Sequence, residues 1–349
     1  MARHMRSFTA DYADEKRISS RLATINSQRS TAWQISVLQV AIFCRARDSR
    51  SECFVDVQKF AAQTFSANHH ELHMKRFRIF GFDFDTRVHA LTTEIQDHWE
   101  ERVKQLHTEN REQTERGLIW QFGEAAADQK RQNFIDLGPK PLSILAFHNK
   151  FFEQVRVSFV MGAYYPAVTA SCALGERILN HLILILRDDF KSTAEYKRVR
   201  NKDSFGNWDT AIDTLAAWDV LLPAVVLEFR KLRDRRNEAI HFRPEVDKND
   251  RALALDAIRS LNAILGDQFC AFGPQPWFIT DIPGEIYIKK DWESRPFIRK
   301  VYLPNCVAVG PQHKIESVMP WMVKDDYPYE KREITDQQFC SLRLAAKGG

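Results

Sequence analysis

The chain lacks the short signatures on which most nucleotide-binding and hydrolytic enzymes rest. It has no GxxxxGK(S/T) phosphate loop, no GxGxxG turn, no GxSxG nucleophile elbow and no HExxH helix. Those absences remove the enzyme classes that depend on these geometries. Its six cysteines, Cys44, Cys53, Cys172, Cys270, Cys306 and Cys340, form no CxxC pair. Neither a thiolate zinc site nor a disulfide framework is expected, and Cys172, in an apolar helical run, reads as a small core residue. The N-terminal stretch MARHMRSFTADYADEKR carries no apolar segment resembling a signal peptide. The longest greasy run, Leu182 to Leu186, is far too short to span a bilayer. A cytoplasmic protein with no membrane partner is therefore expected. A strong charge of one sign is also missing: 50 Lys and Arg stand against 46 Asp and Glu, a net charge of +4. That balance, with a pI of about 8.7, permits a nucleic-acid partner without requiring one.

What the chain does contain is an ordinary globular balance, 44% hydrophobic and 28% charged, with 24 phenylalanines among its 349 residues. Two or three domains are expected. Residues 1–89 read as a small mixed α/β region, with a run at Trp33 to Phe43 that suits a strand or, by its length, a helix, a strand-like run at Phe54 to Val57 and a strand pair within Lys75 to Val88. Residues 90–135 read as a long helix or connecting arm, with Leu91, Ile95, Trp99, Val103 and Leu106 on one apolar face. The turn Asp136 to Pro141 marks a boundary. Residues 136–268 then carry helical periodicity throughout. Helices are expected from Ile144 to Met161, after the break at Gly162 to Pro166, from Thr210 to Val220, from Pro223 and from Arg251 to Leu265. Residues 191–208 read as a polar loop. Residues 269–349 read as a β-rich appendage with a frayed tail. The fold class that follows is multidomain α+β: a central all-α helical bundle, a mixed N-terminal region and a β-rich C-terminal region.

The distinctive segment is Leu232-Arg233-Asp234-Arg235-Arg236-Asn237-Glu238-Ala239-Ile240-His241-Phe242. On a helix, Arg233, Asn237 and His241 share a face. The stripe Val225, Phe229, Leu232, Arg236 and Ile240 places Arg236 on or beside the apolar face. Burying an arginine is costly without a partner or a ligand. A nearby histidine adds a group that gains or loses a proton near neutral pH. Together they offer a cation for a phosphate and a proton-transfer group.

With Arg236, Asn237 and His241 in the motif places, the stretch RNEAIH resembles the R-x(4-6)-H motif of the HEPN superfamily, and its position late in a helical bundle fits. The resemblance covers roughly residues 140–268 and does not extend to residues 1–135 or 269–349. It implies a HEPN-like bundle and a metal-independent endoribonuclease, with no cofactor and no metal. It further implies a homodimer whose two motifs face one another, a toxin or an antiviral or stress effector, and a regulatory protein or antitoxin as a further partner beside RNA. Arg236 would hold the phosphate, His241 would move the proton and Asn237 would orient one of them. Arg233 and Arg235 would attract the backbone.

Each feature has a plainer reading. RNEAIH is also a basic helix end that suits the helix dipole. Glu176, Arg177, Asn180 and His181, which interrupt an otherwise apolar helix, either support the cleft or form a satisfied buried network or an interface. Tyr164 and Tyr165 are read as packing residues, and NHHELH, containing His69, His70 and His73, as a solvated loop or helix. The alternative function is a non-catalytic HEPN-like module that binds a nucleotide or another protein.

Overall fold

The computed structural model describes residues 73–81, 85–240, 249–318 and 321–348. The strand-like runs at 33–43 and 54–57, the histidines His69 and His70, and His241 itself lie outside them. The architecture is α+β: a large central helical region with a small β-sheet appendage near the C-terminus.

The helical region opens with α1 (Arg87–Thr92), α2 (Glu101–Phe122) and α3 (Ala127–Asp136). The long helix or arm expected over 90–135 is thus interrupted. The Thr92 and Thr93 hydroxyls donate to the carbonyls of Val88 and His89, and Thr93 turns to extended backbone, a local competition typical of threonine. The expected apolar face is displaced as well. Val103 and Leu106 are exposed, while Thr114, Leu118 and Phe122 are buried.

Four further helices build the core: α4 (Ala146–Val160), α5 (Tyr164–Leu186), α6 (Trp208–Ala217) and α7 (Pro223–Ile240), closed by α8 (Asp250–Gln268). Gly162, at φ +82°, supplies the left-handed turn between α4 and α5. Pro166 sits in the first turn of α5, where its missing amide costs little. By length and composition α5 could cross a bilayer, which the five-residue run had not suggested. In this fold it is the central strut instead, contacting α4, α6, α7 and α8. Ile178, Leu179, Leu182, Ile183 and Leu186 are buried along it. The segment expected to be a polar loop over 191–208 holds one helical turn, Tyr196–Val199, and then Asn207, whose side chain accepts from the Thr210 amide and caps α6.

The sheet runs in the order β2 (Phe278–Ile279), β3 (Tyr287–Ile288), β1 (Arg76–Arg78), β4 (Val307–Val309) and is antiparallel throughout. β1 comes from the N-terminal side of the helical region, so the sheet joins distant parts of the chain. It is the one strand within the expected pair over 75–88; residues 82–84 lie outside the description and Arg87 begins a helix. The C-terminal region is also less β-rich than expected, because residues 290–305 are short helical turns. A hairpin, β5 (Lys314–Val318) with β6 (Trp321–Lys324), follows.

The expected frayed tail is instead helix α9 (Asp336–Gly348). Its start is a reciprocal capping box: the Thr335 hydroxyl accepts from the Gln338 amide, and the Gln338 side chain accepts from the Thr335 amide. Phe339 and Arg343 bury its inner face.

Candidate functional site

The site is built on two helices that the hydrophobic pattern fixes in register. On α7, Val225, Phe229 and Leu232 are completely buried. One turn on, the stripe delivers Arg236, whose side chain keeps 29% of its exposure. That degree of exposure suits a group that is anchored in the core and can still meet a ligand. On α5 the matching row ends in Cys172, Gly175 and Glu176.

Between them lies a cleft of about 440 Å³ whose lining includes Glu176, Arg177, Asn180, Asp203, Arg236 and Ala239. Glu176 Oε2 faces Arg236 Nε at 3.8 Å and accepts a hydrogen bond from Trp208 Nε1 at 3.0 Å. Arg236 Nη1 approaches Asn237 Oδ1 at 3.4 Å. Asn180 shapes the opposite wall: its amide nitrogen donates to the carbonyls of Glu176 and Phe205, and its oxygen accepts from the Phe205 amide at 2.6 Å. The segment carrying Asp203 and Ser204 is held against α5 in this way. Cys172 lies at the cleft wall, but burial pushes its thiol up to about 12 despite the nearby Arg236 cation. It stays protonated at neutral pH and is no thiolate nucleophile.

The structure brings Arg236, Glu176 and Arg177 to one cleft and puts Asn237 against Arg236. It does not bring Arg233 or Arg235 there. Arg233 pairs with Asp209 and Asp234, and Arg235 with Glu238 and Asp256. His181 turns away, its ring edge-on to Phe147 at 5.3 Å. Tyr164 packs on Phe159, while Tyr165 is exposed and is no core residue. Elsewhere His73 pairs with Glu333, and Asp85 takes both Nε and Nη2 of Arg87. Among the described residues no group of three His, Cys, Asp or Glu side chains is placed to hold a metal.

Sequence reasoning missed Asp203, Ser204 and Trp208. The first two sit in what read as a solvated loop. Gly175 offered the one signal for Trp208. A Cβ there would lie 2.6 Å from Leu232 Cδ2 and 2.9 Å from Trp208 Cη2, so a larger residue would push on both side chains where they pack on α5. Gly175→Ala is expected to cost about 1–3 kcal/mol through overpacking. Denaturant unfolding reads this directly, and an unchanged midpoint would show that the neighbours absorb the methyl.

The chain matches no family model, no curated protein and no solved structure.

Proposed function

We propose that the chain is a metal-independent endoribonuclease of HEPN-like architecture, working as a dimer whose two Arg/His motifs form a composite site. The observation that carries this reading is Arg236: a half-buried guanidinium at the end of an apolar stripe, opening into a cleft, five residues before His241. A cation held in that way is suited to the non-bridging oxygens of a phosphodiester and to the charge that develops there.

In the proposed reaction a ribose 2′-hydroxyl attacks the adjacent phosphorus. His241 of one subunit takes the hydroxyl proton, and His241 of the other protonates the leaving 5′-oxygen. The P–O5′ bond breaks, leaving a 2′,3′-cyclic phosphate and a 5′-hydroxyl. Asn237 orients Arg236 or the phosphate. DNA lacks the nucleophile and is not cut by this route. Arg233 and Arg235 act at longer range on the polyanion, since their charges already have carboxylate partners. The biological role proposed with this chemistry is that of a cytoplasmic toxin or of an antiphage or stress effector restrained by a regulatory partner.

The test is incubation of mixed cellular RNA with purified protein, with and without EDTA. Cutting that survives EDTA, leaves cyclic phosphate ends and spares 2′-deoxy substrates is the expected result. Cyclic ends that disappear with EDTA, or cutting of the 2′-deoxy strand, would refute the proposed chemistry. Phosphate-dependent binding without cutting would favour a nucleotide-binding module.

A further inference from the structure

We propose that Glu176, clamped by the Trp208 indole, is the positioning residue that aims Arg236 and reserves the cleft for a phosphate carrying a single negative charge. This rests on the cleft being the phosphate site of the ribonuclease reading. The acceptor geometry carries the first half. The Trp208 indole N–H is a donor only, its ring is buried, and it donates to Glu176 Oε2 at 3.0 Å. The carboxylate is thereby fixed from behind. The same oxygen faces Arg236 Nε at 3.8 Å, too long for a hydrogen bond and within ion-pair reach. Glu176 therefore orients the Nε side of the guanidinium, whose other contact is the long approach of Nη1 to Asn237. A guanidinium held on its Nε side leaves its terminal nitrogens, one of them 3.4 Å from Asn237 Oδ1, as the donors for bidentate phosphate oxygens. Gly175, directly before Glu176, leaves room for the far edge of the Trp208 ring.

Charge carries the second half. The charged side chains lining the cleft among the described residues are Arg177 and Arg236 against Glu176 and Asp203, so the formal charges cancel. Arg177 is also engaged, its guanidinium lying 4.9 Å from the centre of the Phe151 ring. A phosphodiester, with one negative charge, meets walls whose charges balance among the described residues, and an aimed guanidinium. A terminal phosphate dianion brings a second negative charge up to the Glu176 carboxylate, which disfavours it.

The experiment titrates two probes into the full chain: phenyl phosphate at pH 8, a dianion, and a 2′-O-methyl dinucleotide, a monoanionic diester that cannot be cleaved. Binding is followed at the Arg236 Nε–H resonance, assigned by its loss in Arg236→Lys. Glu176→Gln keeps an acceptor for Trp208 and removes the charge. It is expected to shift the dianion-to-diester affinity ratio by about tenfold toward the dianion. Trp208→Phe keeps the charge and removes the clamp. The ratio should stay within about twofold of wild type, while the Nε–H signal broadens and exchanges faster as the guanidinium loses its fixed orientation. A ratio unmoved by Glu176→Gln overturns the proposal, as does an Nε–H signal indifferent to both variants or a wild type that binds neither probe. Should Trp208→Phe fold poorly, the near-isosteric Glu176→Gln still decides the matter. Wild-type protein that shows the expected ratios but leaves RNA intact would retire the ribonuclease reading and leave this one standing.

Discussion

Arg236→Ala is expected to slow RNA cleavage roughly a hundred- to a thousandfold, the usual consequence of removing one preorganised group aimed at developing oxyanion charge. His241→Ala should cost about 10²–10⁴-fold, the range for a lost general acid or base. Arg236→Lys separates charge from shape. A lysine ammonium can reach the cleft, but it is a point charge and cannot present the planar fork, so it should recover only part of the loss. The two Arg236 variants should unfold close to wild type, because Arg236 is only partly buried and Glu176 keeps its hydrogen bond from Trp208. The measurement is the single-turnover rate on a defined RNA, beside a thermal melt. A folded Arg236→Ala protein that cuts within about threefold of wild type would remove the arginine from the mechanism and the mechanism with it.

How far the chain could be read in advance depended on whether a residue's partner was near in sequence. The stripe Val225, Phe229, Leu232, Arg236 repeats at helical spacing, so its burial and the emergence of Arg236 were legible. The apolar centre of α5 was legible for the same reason. The fate of Arg233 was not, because its partner Asp209 stands at the start of another helix. Trp208 was hidden likewise: its contact with Glu176 exists only once α6 has docked on α5. The strands are two to five residues long, too short for an alternating pattern to stand out, and β1 pairs across more than 200 positions with β3 and β4. Helix α9 was the avoidable miss, since Thr335 and Gln338 spell a capping box in the sequence itself. Over 90–135 propensity and an apparent apolar face suggested one long helix or arm, yet α1 ends at Thr92, where the hydroxyls of Thr92 and Thr93 bond back to the last turn.

The second large effect is expected far from the cleft, at Glu285. This buried carboxylate collects the small sheet and α9 around one negative charge. Arg343 donates to both its oxygens at 2.8 Å, Tyr287 donates its hydroxyl to one of them, and Arg78 and Lys347 each approach to 3.3 Å. Arg78 also donates to His313 Nε2, while His313 Nδ1 donates to the Gly310 carbonyl. His313 must be neutral to accept in this way. Glu285→Ala would leave two buried guanidiniums without their shared counter-ion. A cost of about 3–5 kcal/mol is expected, a large part of the stability of an ordinary domain.

The same cluster should be sensitive to acid. Burial opposes ionisation of Glu285, but the hydrogen bonds from Arg343 and Tyr287 outweigh it and hold the carboxyl at about 2. Its contribution is complete above about 4.5 and is lost as pH falls toward 2. Burial first, then the Arg343 and Arg78 cations, push His313 down to about 4 from 6.5. The unfolded chain therefore takes up a proton that the folded one refuses, so stability falls between about 6.5 and 4. Each proton contributes a slope of about 1.4 kcal/mol per pH unit in its window. Native-state hydrogen exchange followed by mass spectrometry reads both effects. Protection over 336–348 and the sheet should fall as pH drops from 7 to 3, and at pH 7 in Glu285→Ala it should already be low while α5 keeps its protection. Equal protection in the variant and the wild type, or loss spread evenly over α5 and α9, would mean that the Glu285 cluster does not hold this part of the fold together.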